Sequence, residues 1–192
     1  HQGVSEARNA GLYRSESDYI AFLDSDNTWD ENYLKLMLSY MECYSLESAY
    51  CQISLQDDNN HIRDFRGDMF SWQSCLKQNY IDLNCFMHRG HLYMNKKDSN
   101  FPHFFDSNLP RLVDWDYILR VTKNTKTSYL PLALVSYYDG ELHQRITNTE
   151  GQDSNKFLAF KTIIQNKHCQ DIHYENLDSL AFLESYKRNV LE

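Results

Sequence analysis

The sequence lacks several features that would place it in a common class of protein. No apolar run approaches the roughly 18 residues that a membrane-spanning helix needs, and no signal peptide is visible. Basic residues are in deficit, with 19 Lys and Arg against 27 Asp and Glu and a formal net charge of -8. Because nucleic-acid binders usually present a basic face, this balance argues against nucleic acid as a partner. We therefore expect a soluble protein.

The five cysteines show none of the close paired spacings that zinc knuckles and redox sites need. Their number is odd and several lie in apolar segments, namely Cys43, Cys51, Cys75, Cys85 and Cys169. This pattern favours buried free thiols in a reducing cytoplasm over catalysis. Internal repeats and low-complexity segments are absent too, and 192 residues with 42% hydrophobic content predict one domain with one core.

Residues 18–29 join a short apolar run to two closely spaced carboxylates. Residues 19–23 are apolar at every position, which is typical of a strand covered on both faces in a mostly parallel α/β sheet. Ligands of such sheets gather at the carboxyl ends of the strands. Since alternate side chains of an extended segment point the same way, Asp24 and Asp26 can converge while Ser25 faces away. Two carboxylates favour Mg²⁺ or Mn²⁺, whose remaining positions suit the phosphates of a nucleoside diphosphate.

The same residues also suit a plainer interpretation, a turn followed by a helix cap, because Asp and Asn are common turn residues after a strand. The flanking sequence favours the metal site. Residues 7–11 read Ala-Arg-Asn-Ala-Gly, and Trp29 follows at the predicted start of a helix. Together these segments resemble glycosyltransferase family 2 with the GT-A fold, in which an Ala-Arg-Asn-x-Gly helix precedes the strand that delivers an Asp-x-Asp motif. The resemblance implies that Arg8 and Asn9, with the Asp-x-Asp residues, bind the donor.

Residues 105–120 resemble a second signature of the same family, a Phe-Asp element followed by an acidic pair, an aromatic, an acid and an apolar helix. Val113 stands where the family often has Glu, so the acidic pair is reduced to Asp114 alone. The resemblance implies that Asp114 is a general base, which removes the proton of an attacking acceptor hydroxyl. A metal ion rather than an acid then neutralises the leaving diphosphate. The alternative for Asp114 is an ordinary helix N-cap.

The implied protein is a glycosyltransferase of polysaccharide biosynthesis, with a nucleotide-diphosphate sugar as donor and a carbohydrate or lipid-linked acceptor. The implied mechanism is inverting, by single displacement. His143 joins Asp24 and Asp26 as a candidate metal ligand, because the family often carries a His-containing element near this position. Peripheral association with the inner face of a membrane and formation of an oligomer stay open.

The implied fold is a mixed α/β sheet flanked by helices. Residues 1–150 would form the catalytic part, and residues 151–192 a helical extension packed on the same domain. Family members begin with strands that supply much of the nucleotide pocket, and the sequence before Gly3 has no counterpart to them. We therefore expect the chain to be an amino-terminally truncated piece of a longer protein.

Two other functions compete with this interpretation. Residues 22–28 are also similar to the first motif of haloacid-dehalogenase-like phosphohydrolases, in which Asp24 would be the nucleophile and Asp26 the acid/base. That family later needs a Lys and a Gly-Asp-x-x-x-Asp motif, and neither Gly67-Asp68 nor Gly151-Gln-Asp fits it. A non-catalytic binding fragment is the second competitor, because a sheet without its first strands exposes an edge.

Periodicity and turn residues predict the remaining elements. The predicted helices span residues 5–16, 31–43, 154–165 and 176–190. Ser5 and Asp30 are the predicted N-caps of the first two. A further helix is predicted to begin at Asp114, with Tyr117, Ile118 and Val121 facing inward. The predicted strands span residues 49–55, which alternate as a half-buried strand does, and residues 81–87 and 133–138. A hairpin turn is expected at residues 57–60.

Overall fold

The computed structural model describes residues 3–94, 105–109, 111–138 and 154–169. The helices are α1 (Gly3–Arg14), α2 (Tyr33–Cys43), α3 (Trp72–Lys77), α4 (His91–Met94), α5 (Val113–Thr122) and α6 (Ser154–Cys169), with a short 3₁₀ turn at Leu83–Cys85. The strands are β1 (Tyr19–Ala21), β2 (Asn27–Trp29), β3 (Ser48–Gln56), β4 (Ile62–Arg66), β5 (Phe86–Arg89) and β6 (Thr127–Tyr138). In this part of the chain no helix has the length and apolar character to cross a bilayer.

The six strands form one mixed sheet in the order β1-β5-β3-β6-β2, with β4 paired to the far end of β3. Only β3 and β6 run parallel among the described pairings, and the other four pairings are antiparallel. The predicted mixed α/β sheet flanked by helices is therefore confirmed. The expectation of a mostly parallel sheet, drawn from the apolar run at residues 19–23, is wrong.

The apolar run forms β1 at one end of the described sheet, not at its centre. Among the described strands β1 pairs with β5 alone, and only its middle residue, Ile20, is buried. Tyr19 and Phe22 pack against the core from partly buried positions, whereas Leu23 is exposed. A run of apolar residues thus marks contact with the core, but it does not specify how many strands lie beside it.

The central position belongs to β3, which sequence periodicity describes as half-buried. Seven of its nine residues are buried, because β6 lies along its whole length and α2 packs against both strands. Met37 and Met41 supply the buried face of α2, while Leu34 on the predicted stripe is exposed. The strand itself is predicted correctly. The prediction that one of its faces is exposed is wrong, because the residues on that face also pack against the core.

Several local predictions are confirmed in outline. α2 begins two residues later than predicted, because Asp30 Oδ1 accepts the Asn32 main-chain N–H and closes a turn first. The hairpin turn at residues 57–60 is present, with the Asn60 N–H donating to the Asp57 carbonyl at 2.9 Å. Ser5 lies inside α1 instead of capping it. The predicted helix over residues 176–190 lies outside the described residues.

The helix α6 packs on α3, where the Gln165 side-chain amide donates to the carbonyl oxygens of Leu76 and Lys77 at 3.1 and 3.2 Å. These contacts satisfy main-chain carbonyls near the end of a short helix, where intrahelical partners are missing. They attach α6 to the same core as the sheet. The boundary expected at residue 150 stays a prediction.

Gly90 allows β5 to approach the chain before β1, and its N–H donates to the Asp18 carbonyl at 2.7 Å. A Cβ at this position would overlap the main-chain oxygen of Ser17. We expect Gly90→Ala to lower the free energy of unfolding by about 1–3 kcal/mol, the usual cost of overpacking. The matched control is Gly11→Ala, since nothing lies within 4 Å of a Cβ there and Gly11 is inside α1. Urea denaturation should show that Gly11→Ala raises the free energy of unfolding by about 0.5–1 kcal/mol. Equal effects of the two substitutions on this free energy would contradict the prediction.

Candidate active site

Asp24 and Asp26 lie on the short turn that joins β1 to β2. The Asn27 N–H donates to the Asp24 carbonyl at 3.1 Å, and the pairing of β2 with β6 follows directly. Asp24 is half-buried, whereas Asp26 is exposed. The two carboxylates thus follow a strand as predicted, but that strand is at the end of the described sheet rather than in a central position.

Trp29, predicted to begin a helix, belongs to β2 instead. Its ring stacks on Tyr33 with 4.2 Å between the ring centroids, and its indole N–H donates to the Asn84 carbonyl at 2.8 Å. These contacts bind the start of α2 to the sheet. Trp29 therefore supports the turn that carries the carboxylates, as a large aromatic residue beside a strand end commonly does.

Asp24 is held on both of its carboxylate oxygens. Arg8 Nη2 donates to Oδ1 at 2.7 Å, and Asn84 Nδ2 donates to Oδ2 at 3.1 Å. The Asp24 N–H also donates to Asn84 Oδ1 at 2.6 Å, so that a single amide side chain binds both the main chain and the side chain of Asp24. Charge-assisted contacts of this kind fix the orientation of a carboxylate.

Asn84 is the residue of this site that the sequence analysis missed. It lies in the 3₁₀ turn, buried, where Asp82 Oδ1 accepts both its main-chain N–H and its side-chain amide at 2.8 Å. The Asp-x-Asn spacing of a capped turn before β5 is a local signal that could have located it. Its pairing with Asp24, 60 residues earlier, has no local signal.

Three carboxyl groups and one guanidinium group form a common electrostatic environment. Burial raises the pKa of Asp82, and the charge of Asp24 raises it further. Burial also raises the pKa of Asp114, with a smaller contribution from the charge of Asp82, while Arg8 opposes the shift. A carboxyl whose pKa is raised towards neutral pH is a stronger base once ionised, and such groups are typical of active sites.

The predicted donor residues of α1 lie beside this environment and are engaged with the protein. The Asn9 side chain donates to the Phe105 carbonyl at 2.9 Å and accepts the Phe105 N–H at 2.8 Å. The Arg8 guanidinium lies over the Phe105 ring, 5.3 Å from its centroid. Phe105 in turn stacks on Tyr117 of α5 with 4.3 Å between the ring centroids. Asn9 therefore positions the segment before α5, and its contact with a donor stays a prediction.

The two acids of α5 have opposite environments. Asp114 is half-buried near Asp82 and Arg8. Asp116 is fully buried and binds Arg120 Nε at 2.9 Å, Lys167 Nζ at 2.9 Å and His168 Nε2 at 2.9 Å. Burial alone would raise the pKa of Asp116, but the hydrogen bond with His168 and the charges of Arg120 and Lys167 hold that pKa well below its usual range. Asp116 is thus a structural acid that joins α5 to α6.

Asp26 opens onto a surface cleft of about 260 Å³. The cleft is lined by the turn, by the start of β2, by the tip of the β3–β4 hairpin and by the end of β6, with the residues Ser25, Asp26, Asn27, Thr28, Asp58, Asn60 and Tyr138. Ser25, predicted to face away from the metal, lines this cleft as well. The hairpin tip was predicted only as a turn, and its place beside Asp26 depends on the β3–β6 and β2–β6 pairings.

The donor atoms at the turn suit a hard divalent cation, because they are carboxylate and amide oxygens. In the described ranges no group of three or more His, Cys, Asp or Glu residues could hold a metal ion. Asp24 already binds Arg8 and Asn84, so the exposed Asp26 would be the main protein ligand, with phosphate and water completing the coordination. His143 lies outside the described residues, and its predicted role as a ligand stays untested.

A family model for glycosyl transferase family 2 matches residues 1–105. The chain therefore belongs to glycosyltransferase family 2. It is 48% identical over 42 residues to an uncharacterized glycosyltransferase of Rickettsia bellii, covering 22% of this chain and 6% of the relative. It is 23% identical over 141 residues to the uncharacterized glycosyltransferase YwdF of Bacillus subtilis, covering 71% of this chain and 51% of YwdF. The chain thus spans at most about half the length of these relatives.

Solved structures confirm the GT-A fold. S. aureus TarS 1-349 in complex with UDP-GlcNAc is similar with a TM-score of 0.68 and 12% identity, over 93% of this chain and 50% of that one. The same protein in complex with UDP is similar with a TM-score of 0.55 and 14% identity, over 71% and 40% of the two chains. The family match and these folds do not favour the phosphohydrolase interpretation of Asp24.

Proposed function

We propose that the protein transfers a sugar from a nucleotide-diphosphate sugar to a hydroxyl group of a carbohydrate or lipid-linked acceptor, with Asp114 as the general base. The observation that carries this proposal is the contrast between the two acids of α5. Asp114 lies near Arg8 and Asp82, and its pKa is raised. Asp116 has a lowered pKa, because its carboxylate is paired in the core with cationic side chains. The complexes of TarS with UDP and UDP-GlcNAc support a nucleotide-sugar donor.

The proposed reaction is a single displacement with inversion at the anomeric carbon. A carboxylate oxygen of Asp114 accepts the proton of the acceptor hydroxyl while the hydroxyl oxygen bonds to the anomeric carbon. The bond from that carbon to the diphosphate oxygen breaks in the same step, and the nucleoside diphosphate leaves with the electron pair. No residue forms a covalent intermediate in this scheme.

The other residues of the site position the donor. Arg8 and Asn84 hold Asp24 in one orientation, and the turn presents Asp26 to the solvent. Mg²⁺ or Mn²⁺, held by Asp24 and Asp26 with His143 as a further candidate, would neutralise the charge that develops on the diphosphate. Arg8 supplies a positive charge on the Asp24 side of the site, which complements the negative diphosphate.

Donor binding should depend on the metal and on Asp26. We expect UDP to bind the full-length protein more tightly with Mn²⁺ than with excess EDTA, and Asp26→Ala to remove most of this difference. EDTA is expected to weaken UDP binding to the unmodified protein by about tenfold or more, and a tenfold change corresponds to about 1.4 kcal/mol of binding free energy. Isothermal titration calorimetry measures it, with Asp64→Ala as the control because Asp64 is an exposed acid of β4. Equal affinities with and without EDTA in the unmodified protein would show that the site works without a metal.

A further inference from the structure

Phe105 lies between the donor side of the site and the helix that carries Asp114. Its ring is 2% exposed and stacks on Tyr117 of α5, with 4.3 Å between the ring centroids and 9° between the ring planes. The Arg8 guanidinium lies 5.3 Å from the centroid of the same ring, within the range of a cation–π contact. Arg8 also binds Asp24 at 2.7 Å. One buried ring therefore contacts both the cation that holds Asp24 and the helix that carries Asp114.

The main chain of Phe105 is held as well as its ring. The Asn9 side chain donates to the Phe105 carbonyl at 2.9 Å and accepts the Phe105 N–H at 2.8 Å, across 96 residues of sequence. Two hydrogen bonds from one side-chain amide fix both the position and the direction of the bound segment. Because Phe105 is buried, loss of the Asn9 amide would take the partner from two main-chain polar groups, which is costly away from water. Asn9 thus determines where the Phe105 ring lies.

Tyr117 connects the Phe105 ring to Asp114. It follows Asp114 by three residues, so the two side chains are neighbours on one side of α5. Tyr117 is fully buried, and its hydroxyl oxygen lies 2.7 Å from His88 Nε2 of β5. Phe22, which follows β1 directly, lies edge-on to the Phe105 and Tyr117 rings, with centroid distances of 5.4 and 5.7 Å. Since close-packed interiors have low compressibility, these contacts fix the start of α5 relative to the end of β1.

We propose that Phe105 and Asn9 are positioning residues of the transfer reaction, which set the distance between Asp114 and the bound donor. The inference rests on the proposed glycosyltransferase function, and it assigns Asn9 to the placement of the base instead of to the binding of the donor. A displacement of about 1 Å between reacting groups lowers turnover by about 10²-fold, although the groups themselves are unchanged. Phe105 and Asn9 act through α5 and touch no reacting atom in this scheme.

Asn9→Ala distinguishes the two roles of Asn9. Calorimetry on the full-length protein with Mn²⁺ measures the affinity for UDP. Turnover is the release of UDP at saturating donor, from whichever of UDP-glucose, UDP-galactose and UDP-N-acetylglucosamine the unmodified protein cleaves fastest. We expect kcat to fall about tenfold or more while UDP affinity changes by less than about twofold. UDP binding weakened by about tenfold or more would show that Asn9 binds the donor, and would overturn the proposal.

Phe105→Leu tests the ring and leaves the main-chain groups that bind Asn9 in place. Leu keeps an apolar side chain in the core but removes the aromatic contacts with Arg8 and Tyr117. We expect the same pattern, with kcat lowered by about tenfold or more and UDP affinity retained within about twofold. A normal kcat in either folded variant would overturn the role of that residue. If Phe105→Leu does not fold, Asn9→Ala decides.

Gln165→Ala is the matched control for Asn9→Ala. The Gln165 amide also makes two hydrogen bonds to the main chain, with the carbonyls of Leu76 and Lys77 at 3.1 and 3.2 Å, but it joins α6 to α3 instead of holding Phe105. Urea denaturation should show a similar loss of stability in both variants, whereas kcat should fall only in Asn9→Ala. An equal fall of kcat in both would mean that general loosening of the core lowers turnover, and the proposal would be wrong.

The unmodified protein separates this inference from the proposed function. Failure of the unmodified protein to bind UDP, or to cleave any of the three nucleotide sugars, would contradict the proposed function, and this inference would fall with it. Binding and cleavage by the unmodified protein, together with a normal kcat in both Asn9→Ala and Phe105→Leu, would leave the proposed function intact and overturn this inference alone.

Discussion

Asn in place of Asp114 is expected to lower turnover by about 10²-fold or more while nucleotide affinity changes little, the usual scale for loss of a general base. The side chain is half-buried and its pKa is raised, so Asp114→Asn keeps the shape but removes the proton acceptor. Turnover is measured as release of the nucleoside diphosphate in the full-length protein, and affinity by calorimetry. A variant with normal turnover would exclude Asp114 as the base.

The pH profile gives a second check on the same residue. Since only the ionised carboxylate accepts a proton, kcat/KM should rise with pH through the pKa of Asp114, which burial places above the ordinary value. The rise should disappear in Asp114→Asn. If Asp116→Asn abolishes transfer in a folded protein and Asp114→Asn does not, the base is Asp116. If neither matters while Asp24→Asn stops phosphate release from a phosphomonoester, the protein is a phosphohydrolase.

Asp116→Asn is expected to lower the free energy of unfolding by about 3–5 kcal/mol, the usual cost of removing one partner from a buried ion pair. The substitution leaves Arg120, Lys167 and His168 around a neutral group in the core. Urea denaturation followed by circular dichroism measures the loss. The control is Asp106→Asn, since Asp106 also binds Lys167, at 2.8 Å, but its side chain is 28% exposed instead of fully buried. That change should cost about 1 kcal/mol or less.

Acid should reproduce the effect of this substitution. Because the folded pKa of Asp116 is depressed, its contribution to stability is complete above the ordinary carboxyl pKa of about 3.9. The contribution is lost as pH falls from that value towards the folded pKa. Unfolding curves of the unmodified protein and of Asp116→Asn should therefore approach each other below about pH 4. A constant difference over that range would mean that the charge of Asp116 is not what stabilises the core.

Local chemistry explains which parts of the structure the sequence predicts. The turn after β1, the hairpin turn at residues 57–60, the helix α5 and the helix α6 each follow from neighbouring residues, and each is present. The positions of β1 and β3 in the sheet do not follow from them, because an apolar or alternating pattern records burial but not the neighbour that causes it. The patterns predict a strand covered on both faces for residues 19–23 and a half-buried strand for residues 49–55, whereas β1 lies at one end of the described sheet and β3 at its centre.

In the candidate site, too, local motifs are predictable from the sequence and contacts between distant residues are not. Arg8, Asp24, Asp26 and Asp114 were found from motifs, but their partners were not. Asn84 contacts Asp24 across 60 residues, and His168 contacts Asp116 across 52 residues. Asp116 follows Asp114 by two residues on α5 and is not among the candidate site residues of the sequence. It lies in a separate environment from Asp114, but its cationic partners come from α6 and make it a structural residue.

The position of β2 determines when the site can form during folding. Among the described strands β2 pairs only with β6, and its first residue, Asn27, is opposite Tyr137, 110 residues later (137 − 27). Contacts between such distant residues require closure of a long loop, which slows folding and places them late. The turn with Asp26 and the cleft between β2 and the end of β6 should therefore be among the last parts to become ordered, after β3 and β4 have formed their local hairpin. Nascent chains that end before residue 135 would carry both carboxylates without the β6 residues that pair with β2.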